Sequence, residues 1–91
     1  MRLEDAVYNW LQIKLVETGR PDDNAARETV AFFEQILKED HGLEFFAIGN
    51  VDDTMYHVTY VKEGKRKTQM IDRESAEQLL VDINANPKYN E

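Results

Sequence analysis

The sequence has no cysteine. This absence excludes disulfide bonds, thiolate nucleophiles, iron–sulfur clusters and zinc sites built on thiolates. The sequence also has no apolar run close to the roughly 18 residues that a membrane-spanning helix needs. Its first ten residues, MRLEDAVYNW, include two acidic side chains and no apolar signal core. We therefore expect a cytoplasmic protein that does not associate with membranes.

The common motifs for phosphate, dinucleotide and zinc-protease chemistry are missing as well. There is no G-x-x-x-x-G-K-[ST], no G-x-G-x-x-G and no H-E-x-x-H. Adjacent carboxylates do occur, but each pair falls where a helix start, a helix end or a turn needs polar residues. These pairs are Asp22 with Asp23, Glu39 with Asp40, and Asp52 with Asp53. We predict that the protein is not an enzyme and uses no cofactor.

The length and composition indicate one small globular domain. The chain has 91 residues, of which 42% are hydrophobic and 32% charged, a balance typical of soluble rather than disordered proteins. The last residues contain turn formers and little to bury. We expect a single compact domain over residues 1–84 and a flexible C-terminal tail over residues 85–91.

The formal net charge is −7, and it is unevenly distributed. Residues 1–58 carry five basic and twelve acidic side chains, whereas residues 59–91 carry six of each. Long-range repulsion from this charge opposes general affinity for nucleic acids and anionic membranes. We therefore expect the partner to be a protein.

Apolar residues recur at helical spacing in two N-terminal segments. The first predicted helix runs from Leu3 to about Val16, and the second begins at Asp22 or Asp23, either of which can cap its free amides. Gly19 and Gly42 are predicted to follow these helices in the left-handed conformation that ends many helices.

The period then changes to that of strands. Residues 43–51, 54–62 and 65–71 predict an antiparallel meander, and Asp72 is a good N-cap for a third helix. The predicted fold class is α+β with the order α-α-β-β-β-α, in which a three-stranded antiparallel meander packs against helices.

Alternation along the second strand divides its side chains between two faces. We expect helices 2 and 3 to cover the face of Tyr56, Val58 and Tyr60. The opposite face carries Met55, His57, Thr59 and Val61, with either Phe45 and Ala47 or Phe46 and Ile48 from the first strand. Because that face is too apolar to stay fully hydrated, we expect helix 1 to cover it in part and a homodimer to complete its burial. Met55, His57 and Val61 are therefore candidate binding residues.

A basic hairpin stands out against the acidic background. It contains Lys62, Lys65, Arg66 and Lys67, and in an extended strand residues 65 and 67 point opposite to residue 66. Lysines at a sheet edge can protect it from edge-to-edge association. The same residues are candidates for binding an acidic partner or nucleic acid.

Two alternative functions rest on these features. Residues 22–84 resemble a double-stranded RNA-binding domain in element order only, since the last helix starts Asp72-Arg73-Glu74-Ser75 where that family places lysines. A nucleic-acid accessory protein that uses residues 62–67 is one alternative. A small metal- or ligand-binding protein centred on His41 or His57 is the other. The interpretation that we prefer is a small, non-enzymatic, cytoplasmic protein-binding module.

Overall fold

The computed structural model describes residues 1–85 and has the predicted α+β order, with all three strands in one antiparallel sheet. The third helix includes Ala85, the first residue of the expected tail, and the rest of that tail lies outside the described residues. The elements are α1 (Leu3–Gly19), α2 (Asn24–Gln35) with a π-helical extension (Ile36–Asp40), β1 (Leu43–Val51), β2 (Met55–Lys62), β3 (Lys65–Asp72) and α3 (Arg73–Ala85).

Local sequence signals account for most helix boundaries. Asp23 caps α2 by accepting a hydrogen bond from the Ala26 amide at 3.0 Å. Asp72 caps α3 in the same way, with the Ser75 amide 2.9 Å from its carboxylate. Gly42 follows the π-helical extension with a φ of 65°, as predicted for a residue that ends a helix.

The expectation for Gly19 was wrong. Gly19 is the last residue of α1, which runs three residues beyond Val16, and its φ is not positive. The Arg20 amide still reaches the Val16 carbonyl at 2.8 Å, so helical bonding continues to that point. Gly19 instead allows α1 and α3 to approach closely, because a Cβ there would lie only 3.0 Å from Leu80 of α3.

The sheet has the order β1-β2-β3 with antiparallel pairing throughout. A two-residue turn joins β2 to β3, and both turn residues, Glu63 and Gly64, have positive φ, as a type I′ hairpin requires. The pairing of β1 with β2 is irregular between Ile48 and Val51. Gly49 lies in this irregular stretch. A Cβ added to Gly49 would be 3.2 Å from the carbonyl oxygen of His57.

Helix α1 packs on the same face of the sheet as Leu37, at the end of the second helix, and Ala76 of α3, which corrects the expectation that α1 would cover the opposite face. Val7, Trp10 and Leu11 join the core cluster that includes the face of Tyr56 and Val58. On another side of α1, a second cluster unites α1 with α2 and with partly buried residues of α3; it contains Ile13, Val16, Ala26, Val30, Leu79, Leu80 and Ile83. A helix that is apolar over so wide an arc can be buried between the sheet and other helices. Helix 1 therefore lies on the same side of the sheet as the other helices, not on the opposite face.

Candidate binding surfaces

The face of the sheet that points away from α1 is here called the outer face. Cross-strand pairing places its side chains in rows, such as Phe45 with Val61 and Arg66, or His57 with Met70. None of its side chains is buried among the described residues; Phe45 is 51% exposed and Met70 58%. Its members are Phe45, Ala47, Met55, His57, Thr59, Val61, Arg66, Thr68, Met70 and Asp72.

This face unites most of the candidate residues that alternation had indicated. Met55, His57 and Val61 all lie on it, as predicted, and Arg66 of the basic hairpin joins them. Phe45 and Met70 had not been chosen as binding residues, although they are its most exposed large apolar side chains. Phe45 was one of two alternatives because period 2 alone does not fix which β1 residues share a face with β2.

A carboxylate orients the only histidine of the outer face. The Nε2 atom of His57 lies 2.9 Å from Oδ2 of Asp52, in the turn between β1 and β2. The other oxygen of Asp52 accepts hydrogen bonds from the amides of Met55 at 2.7 Å and Thr54 at 2.9 Å. The hydrogen bond to His57, followed by these backbone bonds, lowers the pKa of Asp52 to about 2. Sequence reasoning missed this pair, since its only signal is an acidic turn residue five positions before the histidine.

A second polar cluster connects the same turn to α3. Arg73 donates to the Asp52 carbonyl at 2.9 Å and to the Glu77 carboxylate at 3.1 Å. The Tyr56 hydroxyl donates to the same oxygen of Glu77. Burial, followed by this hydrogen bond, raises the pKa of Tyr56, whereas the bond lowers the pKa of Glu77. The cluster holds the start of α3 against one end of β2, and no sequence motif indicated it.

The four residues of the basic hairpin do not form one patch. Lys62 pairs directly with Lys65 across the strands, and Lys67 pairs with Tyr60, so all three lysines lie on the α1 side of the sheet. They line an open cavity of about 340 Å³ next to the first turn of α1. We call it the hairpin cavity; it is lined by Leu3, Glu4, Tyr60, Lys62, Glu63, Lys65 and Lys67. Arg66 alone points to the outer face.

The other histidine, His41, lies at the end of the π-helical extension. Its amide donates to the Ile36 carbonyl at 3.3 Å. Its buried Nε2 atom has no hydrogen-bond partner among residues 1–85. Nowhere in that range do three or more histidine, aspartate or glutamate side chains come together as a metal site. Among the described residues, neither His41 nor His57 therefore belongs to a group of three or more potential metal ligands.

Comparison with known proteins gave no match to a family model, to a curated protein or to a solved structure. In the part of the chain that the structure describes, no helix combines the length and the apolar character needed to cross a membrane. The geometry of the outer face and of the hairpin cavity is therefore the basis for the functional proposals.

Proposed function

We propose that the protein is a small, non-enzymatic, cytoplasmic protein-interaction module that binds through the outer face of its sheet. The observation that carries this proposal is the one-sided packing of the fold. The helices contribute to core clusters on the α1 side, while Phe45 and Met70 remain more than half exposed on the other. Apolar side chains gathered on one exposed face favour burial against another protein.

The partner that fits this face best is a second copy of the chain. Opposite charges lie at its two ends: Arg66 beside Val61 at one end, and Asp52 beside His57 at the other. If two copies stack face to face with their strands reversed, a two-fold axis brings Arg66 of each copy towards Asp52 of the other. The small side chains of Ala47, Thr59 and Thr68 occupy the middle of the face and permit close approach.

The size of the face predicts that this association is weak. Three strands about 4.8 Å apart, each about eight residues long, present roughly 400 Å². A stable specific interface buries about 800 Å² on each partner. We therefore expect a dimer with a dissociation constant on the order of 0.1–1 mM, unless a larger partner protein also contacts the surrounding loops.

Sedimentation equilibrium over a range of protein concentrations tests the proposal. The wild type should approach a dimer at the highest concentrations, and Met70→Glu and Val61→Asp should each remain monomeric with unchanged circular dichroism. Val81→Asp is the matched control, because Val81 is an apolar residue of α3 that is 55% exposed and does not belong to the outer face. It should associate like the wild type.

Two results would count against self-association through this face. One is a wild type that remains a monomer at millimolar concentration. The other is a folded Met70→Glu protein that dimerises as strongly as Val81→Asp. Arg66→Gln gives a further check, since loss of the pairing with Asp52 should weaken the dimer and reduce its dependence on salt.

The nucleic-acid alternative has less support from the same geometry. Three of the four basic side chains line a small cavity shared with Glu4 and Glu63, and the fourth lies on the opposite face of the sheet. A duplex or a single strand needs a continuous basic track. The arrangement is better suited to a small ligand.

A further inference from the structure

We infer that the hairpin cavity binds the phosphate groups of a small, multiply charged anion. This site is separate from the outer face and does not depend on the proposed dimer. The inference rests on three features: lysines without ion-pair partners, a tyrosine hydroxyl without a partner among the described residues, and the start of α1.

The lysines of the cavity repel one another. Lys62 and Lys65 are directly opposite across β2 and β3, and Lys67 lies two residues further along the same face of β3. Like charges in directly opposite positions destabilise a sheet. No acidic group within residues 1–85 lies within 4 Å of any of the three amines, whereas other basic side chains do form such pairs. An anion between these amines would relieve their repulsion.

The hydroxyl without a partner belongs to Tyr60. Tyr60 is only 9% exposed and lines the cavity, and its solvent-accessible hydroxyl has no hydrogen-bond partner among the described residues. Tyr56, four residues earlier on the same face, donates to Glu77. The Tyr60 hydroxyl is therefore a donor that is available to a ligand in the cavity.

The start of α1 adds further donors. Leu3 and Glu4, the first two residues of the helix, line the cavity, and the Arg2 side chain makes no capping hydrogen bond. Amides in the first turn of a helix have no partner within the helix, and the positive end of its dipole favours anions. The Gln69 amide donates to the Glu4 carbonyl at 3.1 Å, which holds this end of α1 against β3.

The carboxylates of the cavity determine which anions it selects. Glu4 and Glu63 lie in the lining with the three lysines, and Glu4 is 3.9 Å from Arg2. With two negative charges already present, a monoanion gains little. We therefore expect pyrophosphate to bind more tightly than inorganic phosphate, and chloride to bind least, because attraction grows with the charge of the ligand. The volume of about 340 Å³ has room for either phosphate ligand.

Titration of the ¹⁵N-labelled protein with sodium pyrophosphate, at constant ionic strength, tests the site by NMR. Saturable amide shifts should be confined to the start of α1 and to residues 60–67. Lys65→Gln and Lys67→Gln should each weaken pyrophosphate binding by about tenfold, and Tyr60→Phe should weaken it by a smaller factor. Arg66→Gln is the matched control, since it removes one positive charge from the same strand on the outer face. It should bind pyrophosphate like the wild type.

Two outcomes would overturn the inference. The first is an absence of saturable shifts up to about 10 mM pyrophosphate. The dissociation constant would then be too large for a specific site. The second is an equal loss of affinity in Arg66→Gln and Lys67→Gln, which would mean general attraction to the hairpin rather than a defined cavity. Both lysines are exposed, so these variants should fold, and circular dichroism will check this directly.

Discussion

Gly19 of α1 lies directly against Leu80 of α3. An ideal Cβ on Gly19 would be 3.0 Å from one terminal methyl of Leu80 and 3.2 Å from the other. The missing side chain therefore lets the last turn of α1 approach α3 closely, next to the cluster of Ile13 and Val16. This contact helps to position α3, whose first residue, Arg73, belongs to the polar cluster at the end of β2.

The first prediction concerns this contact. Gly19→Val should destabilise the protein by about 1–3 kcal/mol, because overpacking displaces neighbouring groups. Gly19→Ala should be nearly neutral, since the flexible end of Leu80 can move and alanine favours the helix by about 0.5–1 kcal/mol. Urea denaturation measures both changes. In the double variant with Leu80→Ala, the cost of Gly19→Val should shrink, and additive effects would show that the two residues do not interact.

The second prediction concerns acid stability and Asp52. Its pKa is about 2 in the folded protein, below the ordinary value of 3.8 that is expected in the unfolded chain. The ionised carboxylate therefore contributes stability above about pH 4. That contribution is lost as the pH falls from 3.8 towards 2. Asp52→Asn should therefore be less stable than the wild type at neutral pH, and its stability should change less across this acid range.

Thermal unfolding between pH 2 and pH 7 measures the effect of Asp52. Asp53→Asn is the matched control, because the adjacent Asp53 accepts no hydrogen bond among the described residues. It should retain the acid dependence of the wild type. An identical pH profile for both variants would show that the bond to His57 does not stabilise the folded state.

The third prediction concerns the buried hydroxyl of Tyr56. Tyr56→Phe removes its hydrogen bond to Glu77 and should cost about 1.5–3 kcal/mol, typical of a bond to a charged group. Because the folded pKa is raised, the hydroxyl contributes stability below the ordinary value of 10.0 and loses that contribution as the pH rises above it.

Denaturation in urea, repeated at alkaline pH, measures both effects of Tyr56. Tyr8→Phe provides the comparison, since the Tyr8 hydroxyl makes only two long bonds of 3.4 Å, donating to the Ser75 carbonyl and accepting from the Gln12 side-chain amide. It should lose much less stability. Equal losses in the two variants would mean that the carboxylate adds nothing to the bond made by Tyr56.

The outer face and the hairpin cavity can be distinguished by one pair of neighbouring residues. Arg66 and Lys67 are adjacent in β3 but point to opposite faces of the sheet. Neutralising Arg66 should weaken self-association and leave pyrophosphate binding intact. Neutralising Lys67 should weaken pyrophosphate binding and leave self-association intact. Each proposal can therefore fail without the other.

The sequence by itself determined the order of the elements and most of their ends, because these depend on neighbours within a few residues. The side chains of Asp23 and Asp72 accept hydrogen bonds from amides three residues later, and Gly42 adopts a positive φ after a helix. A positive φ at Glu63 and Gly64 likewise suits a two-residue turn. Alternation in β2 likewise placed Met55, His57 and Val61 on one face.

Only the tertiary structure decided what lies against each face. The apolar arc of α1 could have packed on either side of the sheet, and burial against the sheet, α2 and α3 together favours the side of Val58. The pairing of His57 with Asp52, the contact of Gly19 with Leu80 and the cavity beneath Lys62 depend on distances between separate elements. Such distances follow from strand register and helix packing, which the local pattern of residues does not specify.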